Sequence, residues 1–113
     1  MPTSYKVLGQ SNPSATTATT LYTVPNTSTD TVISTITICN QASTAGTFRV
    51  AVRPAGATLA AQHYIAYDTP IAANDTIALT LGVTLDYSSA GDVVTVYASS
   101  ANMSFAAFGS EIS

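Results

Sequence analysis

The stretch Thr31-Val32-Ile33-Ser34-Thr35-Ile36-Thr37-Ile38-Cys39-Asn40 decides the fold. Apolar and polar residues alternate along it with period two, and the polar partner is mostly threonine. The branched β-carbon of threonine suits a pleated strand, and its hydroxyl tolerates water. The alternation puts Val32, Ile36 and Ile38 on one face and Thr35 and Thr37 on the other, in a strand long enough to be central. Nowhere does the chain hold a 3.6-residue apolar period for three turns, so helices are not expected.

Seven further runs of the same kind lie on either side, each bounded by Gly, Pro, Asn, Asp or Ser. They are Tyr5 to Gln10, Thr19 to Val24, Thr47 to Pro54, Gln62 to Asp68, Asp75 to Leu81, Asp92 to Ser99 and Asn102 to Gly109. Eight short strands at this spacing predict an all-β, antiparallel two-sheet β-sandwich or jelly roll, as one domain over residues 1–113. Residues 11–20, rich in Ser, Thr and Ala with Pro13 inside, read as an extended arm or long loop. Ala55 to Ala61 contains Gly56 and follows Pro54, which favours a loop over a helix despite its alanines. The expected core is Val32, Ile36, Ile38, Phe48, Val50, Val52, Ile65, Ile77, Leu79, Leu81, Val94 and Val96. Short connections are expected to be hairpins, including a turn near Ser99 to Ala101.

Composition limits what such a sandwich can touch. Charged residues are 8% of the chain against roughly 25% in ordinary soluble proteins. Nineteen Thr, thirteen Ser and eighteen Ala cover the surface instead. Lys and Glu are the side chains most depleted from interface cores, and a surface poor in them is suited to touching protein. Three basic residues, Lys6, Arg49 and Arg53, against six acidic ones give a net charge of −3. No basic patch is available to neutralise phosphates, so nucleic-acid binding is not expected. No apolar run reaches the length of a membrane span, and Met1 to Gln10 lacks a signal-peptide pattern, so synthesis in a cytoplasm is expected.

Chemistry is sparse. Cys39 reads as a buried reduced thiol and His63 as a satisfied strand histidine, on different strands. Asp75, Asp86 and Asp92 fall at strand ends, where Asn74-Asp75 and Gly91-Asp92 are ordinary turn chemistry rather than a calcium site. No catalytic residue, cofactor or metal is expected. Tyr64, Tyr67 and Tyr87 are candidates for a sugar-stacking platform, although Tyr67 as core and Tyr87 as a loop cap is the preferred reading.

The stretch Leu21-Tyr22-Thr23-Val24-Pro25, the run Thr47 to Gly56, the segment Gln62 to Asp68, the turn Ala73-Asn74-Asp75-Thr76 and the ending Phe108 to Ser113 resemble a family of small virion structural proteins of tailed bacteriophages, including cyanophages. The likeness runs from about Tyr5 to Ser113. It implies a non-enzymatic part of a virus particle: a capsid decoration (cement) protein, or alternatively a tail, baseplate or fibre component that binds a host-surface glycan. A negatively charged domain is repelled by packaged DNA, so the outer surface of the head is the expected location. The expected partners are the major capsid protein or other virion proteins, together with copies of the chain itself, as a trimer, because capsid sites have closed local symmetry.

Three segments are the candidate contacts: the Ser11 to Thr20 arm, the C-terminal segment Phe105 to Ile112, and one hairpin. The hairpin Thr47 to Pro54 and Gln62 to Asp68 is expected to pair Val52 with Ile65 and Val50 with Tyr67 in the core. Outside, Arg49 then meets Asp68, Ala51 meets Ala66, and Arg53 lies over Tyr64. Arg49, Arg53, Tyr64 and Asp68 are thus interface candidates, and Phe105 and Phe108 join them from the C-terminal segment Phe105 to Ile112.

Overall fold

The computed structural model describes residues 3–113, apart from the side chain of Leu81. Among the described residues there are eight strands: β1 (Thr3–Ser11), β2 (Thr19–Thr23), β3 (Asp30–Asn40), β4 (Gly46–Arg53), β5 (Tyr64–Ile71), β6 (Thr76–Leu85), β7 (Val93–Ala98) and β8 (Met103–Ile112). They form two four-stranded antiparallel sheets, ordered β1-β8-β3-β6 and β2-β7-β4-β5. Successive strands mostly cross between the sheets, which is the jelly-roll connectivity. Only β4 and β5 are consecutive strands paired as a hairpin. The expected hairpin around Ser99 to Ala101 is instead a crossing, because β7 and β8 lie in opposite sheets.

Inner faces of both sheets supply one core. Ile33, Ile36, Ile38, Phe48, Val50, Val94, Val96, Met103, Phe105 and Ala107 are buried, and Phe48 meets Phe105 edge to face at 6.4 Å between centroids. Val52, Ile77 and Leu79 pack half-buried against it. Two expected core residues are elsewhere, and Leu81's side chain lies outside the described residues. Val32 points outward because Ser34 is an extra residue in β3 opposite β8: Ile33 pairs with Gly109, and Thr35 already pairs with Phe108. This β-bulge, capped by Ser34 Oγ donating to the Phe108 carbonyl (3.1 Å), shifts the alternation by one residue. Thr31 and Ile33 face inward before it, and Ile36 and Ile38 after it.

Ile65 is 46% exposed for the same kind of reason. The expected β4–β5 register holds from Gly46↔Ile71 to Phe48↔Thr69. Bulges then move it to Val50↔Ala66 and Ala51↔Tyr64. Asp68 sits at the first of them with φ 47°, in the left-handed region. Tyr67, expected opposite Val50 in the core, is turned to solvent and is 57% exposed.

One end of the sandwich is tied by polar groups. Residues 12–18 form a long loop held to their own domain: Asn12 Nδ2 donates to the Ala101 and Met103 carbonyls, and the Thr16 N–H to the Ala98 carbonyl. Buried Asn40 donates to the carbonyls of Thr44 (3.0 Å) and Ala72 (3.1 Å) and accepts the Ala42 N–H (3.0 Å), joining two loops. Along one side, β1 and β2 approach so closely that a Cβ on Gly9 would run into the Leu21 carbonyl oxygen. Two short 3-10 turns, Pro54–Gly56 and Ala61–His63, fill the β4–β5 connection.

Candidate functional site

The second sheet presents an aromatic and charged cluster on its outer face. Alternation along β4 and β7 turns Arg49 and Tyr97, which are cross-strand partners, to this face. The bulge at Asp68 brings Tyr67 and Asp68 together opposite Arg49. Arg49 Nε donates to Asp68 Oδ1 (2.7 Å) and Nη2 to Oδ2 (3.3 Å), a two-pronged charge-assisted pair. Its guanidinium carbon lies 4.2 Å from the ring centroids of both Tyr67 and Tyr97. Tyr64 meets Tyr67 edge to face at 4.8 Å. The Asp68 hydrogen bond raises the Arg49 pKa further above an already high value, so the cation is permanent. Arg49 therefore acts as the centre post of a tyrosine platform, with two donors and two rings occupied within the chain.

Arg53 does not lie over Tyr64, because the shifted register sets Ala51 opposite Tyr64. Its Nε donates to Thr95 Oγ1 (3.0 Å) and its Nη1 to the carbonyls of Gly56 and Ala57, fastening the β4–β5 loop to the sheet.

The opposite face, on sheet β1-β8-β3-β6, is of another kind. Its rungs are Thr3–Ile112–Asp30, Tyr5–Ser110–Val32–Thr84, Val7–Phe108–Thr35–Thr80, Gln10–Ala106–Thr37–Ala78 and Ser104–Cys39–Thr76, and among them only Asp30, at one end, is charged. Tyr5 is 86% exposed, Val7 and Phe108 are exposed, and with half-buried Val32 and exposed Lys6 they line a shallow, mostly apolar groove. Phe108 is thus on a surface, as expected, but Phe105 is not. Its odd-even offset from Phe108 across β8 turns it into the core against Phe48. Cys39 is half-buried on this outer face rather than in the core. His63, expected on a strand, lies instead in the 3-10 turn Ala61–His63 just before β5, where its Nδ1 accepts the Ala60 N–H (3.0 Å).

The carboxylates at strand ends serve turns. Asp92 accepts the N–H groups of Ala55 (2.8 Å) and Asp86 (3.0 Å), and Asp75 accepts that of Thr76 (2.8 Å). Tyr87 bridges to Gly91 and closes the loop between them. Among the described residues no group of three or more His, Cys, Asp or Glu is placed to hold a metal ion.

One polar network escaped the sequence reading. Glu111 on β8 accepts from Lys6 Nζ (2.5 Å) and from Tyr22 O–H (2.5 Å), and Tyr22 in turn bonds the buried Thr31 hydroxyl (2.7 Å). Lys6 first and Tyr22 second hold the Glu111 carboxyl below the usual carboxylate range. Burial and the Glu111 contact push the Tyr22 hydroxyl well above its ordinary value. Nothing in local sequence joins these four strands. Tyr97 was more accessible, since Val94 and Val96 facing inward require Thr95 and Tyr97 to face outward. Tyr5 and Val7 likewise share one face of β1.

No family model and no curated protein matches the chain. Among solved structures, it is similar to a chain from a structure of infectious bursal disease virus, Gx strain, at a TM-score of 0.49 and 11% identity. That match covers 97% of this chain, which spans about 30% of the length of the other.

Proposed function

We propose that this chain is a non-enzymatic structural protein of a virus particle, a capsid decoration protein that seats on the outer surface of a tailed-phage head. The observation that carries the reading is the apolar group Tyr5, Val7, Val32 and Phe108 on the charge-poor outer face of sheet β1-β8-β3-β6, where Asp30 stands at one end and Lys6 at the rim of the groove. Contiguous exposed apolar residues set in a face so poor in charge mark a protein contact rather than a solvated surface. The family resemblance supports a virion role, and the jelly roll is compatible with one, although the fold itself hosts many functions.

Phe108→Ser and Tyr5→Ser, made singly and together, test the reading by co-sedimentation with undecorated particles. The double variant is expected to keep its melting temperature and lose binding. Full binding by the double variant overturns the assignment of this face. Densitometry of purified particles tests the location, since a decoration protein is present at a copy number comparable to the major shell protein.

A second reading, a tail or fibre component that binds a host glycan, rests on the tyrosine platform. Tyr67 offers an exposed ring, and Asp68, whose side chain is 46% exposed, offers carboxylate lone pairs to sugar hydroxyls. Under this reading Tyr67→Ala abolishes retention on immobilised host-surface polysaccharide, and the copy number is a small fraction of that of the shell protein.

A further inference from the structure

The four sheet edges are not treated alike by the sequence. β1 and β2 run together along one side of the sandwich, where Gly9 meets the Leu21 backbone. β5 is twisted by two bulges and carries Pro70. The remaining edge, β6, reads Thr-Ile-Ala-Leu-Thr-Leu-Gly-Val-Thr-Leu from Thr76 to Leu85, without a charge or a proline, and its one register shift, between Thr80 and Val83 opposite Ser34, leaves Thr76 to Thr80 regular. Edge strands ordinarily carry such features because a bare edge recruits another strand.

The direction of the free groups follows from one hydrogen bond. Asn40 N–H donates to the Asp75 carbonyl (2.9 Å), and these residues stand directly opposite, one step beyond the pair Cys39↔Thr76. In an antiparallel ladder hydrogen-bonded pairs alternate with non-bonded ones. Ile38↔Ile77 and Ile36↔Leu79 are therefore bonded pairs, and the backbone groups of Thr76, Ala78 and Thr80 point away from β3. Asp75 Oδ1 takes the Thr76 N–H (2.8 Å). The N–H groups of Ala78 and Thr80 have no partner among the described residues. On the inner face of the same strand Ile77, Leu79 and Val83 are only half-buried.

We infer that β6 pairs with β6 of a second copy about a two-fold axis through Ala78, joining two four-stranded sheets into one of eight strands. In this register Ala78 faces Ala78 of the partner subunit, Thr76 faces the partner's Thr80, and Ile77 faces the partner's Leu79. Outward backbone groups then meet outward backbone groups, threonine meets threonine, and the half-covered apolar residues meet each other. A second copy fits where an unrelated strand need not, because the one segment supplies both halves of the match without opposing charges. The inference is independent of the virion reading. The contact is short, so it forms at high concentration or where copies are held side by side.

Sedimentation equilibrium of the full chain over a concentration series tests this, with Ala78 as the probe because its side chain is exposed on the outer face. The parent is expected to show a monomer–dimer equilibrium. Ala78→Lys and Ala78→Glu each place like charges opposite one another across the axis, and each is expected to be monomeric with the parent's melting temperature at low concentration. An equimolar mixture of the two is expected to restore the dimer. Ala78→Pro, which removes an outward N–H and no internal bond, is expected to be monomeric too. A parent that stays monomeric at every concentration, an oligomer that the Lys and Glu variants retain, or a mixture that fails to associate overturns the pairing.

Discussion

Replacing Tyr22 by Phe removes one oxygen atom from the contact between the two sheets, and the surroundings of that atom set the cost. Tyr22 belongs to the second sheet, while Glu111, Thr31 and Lys6 belong to the first. A carboxylate has no proton to give, so the tyrosine O–H donates to Glu111 and the Thr31 hydroxyl donates to the tyrosine oxygen. A hydrogen bond to a charged group contributes about 1.5–3 kcal/mol, and leaving the Thr31 hydroxyl buried without its partner adds about 1 kcal/mol or more. The Glu111 side chain retains 17% exposure, so water recovers part of the loss. The net expectation is a destabilisation of about 2–3 kcal/mol, or roughly 8–12 °C in melting temperature for a domain of this size. Thermal unfolding followed by far-ultraviolet circular dichroism reads this directly. The acid limb gives an independent check through Glu111. Its folded pKa is depressed, so the stability it contributes is fully present above the ordinary carboxylate value and is lost as pH falls through the lowered folded value. Glu111→Gln should therefore melt below the parent at neutral pH, show a flatter acid limb, and converge with the parent in acid. A loss below about 0.5 kcal/mol in Tyr22→Phe, within the range of a neutral surface substitution, refutes the reasoning. An unchanged acid limb in Glu111→Gln does so too.

Other perturbations separate the core from its margins. Phe48→Ala empties a fully buried site against Phe105 and should cost about 3–5 kcal/mol in chemical denaturation. Leu79→Ala, at the half-covered edge, should cost less than the roughly 2–5 kcal/mol typical of buried leucines. Gly9→Ala forces a Cβ into the Leu21 carbonyl and should destabilise by at least the roughly 1–3 kcal/mol of ordinary overpacking, read in the same assay. Arg49→Lys keeps the charge but loses the planar two-pronged contact, and should weaken the near-ultraviolet dichroism of the tyrosines with little change in melting.

How much of this was legible in the sequence depended on the range of the interaction. Period-two alternation is a property of neighbouring residues, so all eight strands and the two-sheet architecture followed from it. The Arg49–Asp68 pair followed as well: the core pairs it was counted from, Val52 with Ile65 and Val50 with Tyr67, do not form, but the same register holds from Gly46↔Ile71 to Phe48↔Thr69, next to Arg49 and Asp68. Low charge and abundant threonine were likewise visible as a charge-poor surface before any face could be drawn. The tertiary structure decided what local pattern leaves undetermined. A strand that crosses to the other sheet has the same alternation as one that pairs with its predecessor, so the hairpin expected between Asp92 and Gly109 became a crossing. An extra residue in a strand reverses its faces beyond that point, so Ser34 turned Val32 outward and buried Ile33. The bulges of β5 exposed Ile65 and Tyr67 and moved Tyr64 away from Arg53. Phe105 and Phe108 looked alike in a list of aromatics, and only pairing with β3 and β1 sent one to the core and the other to the surface. Lys6, Tyr22, Thr31 and Glu111 come from four strands, and their meeting depends on closure of the whole sandwich, which no window of neighbouring residues contains.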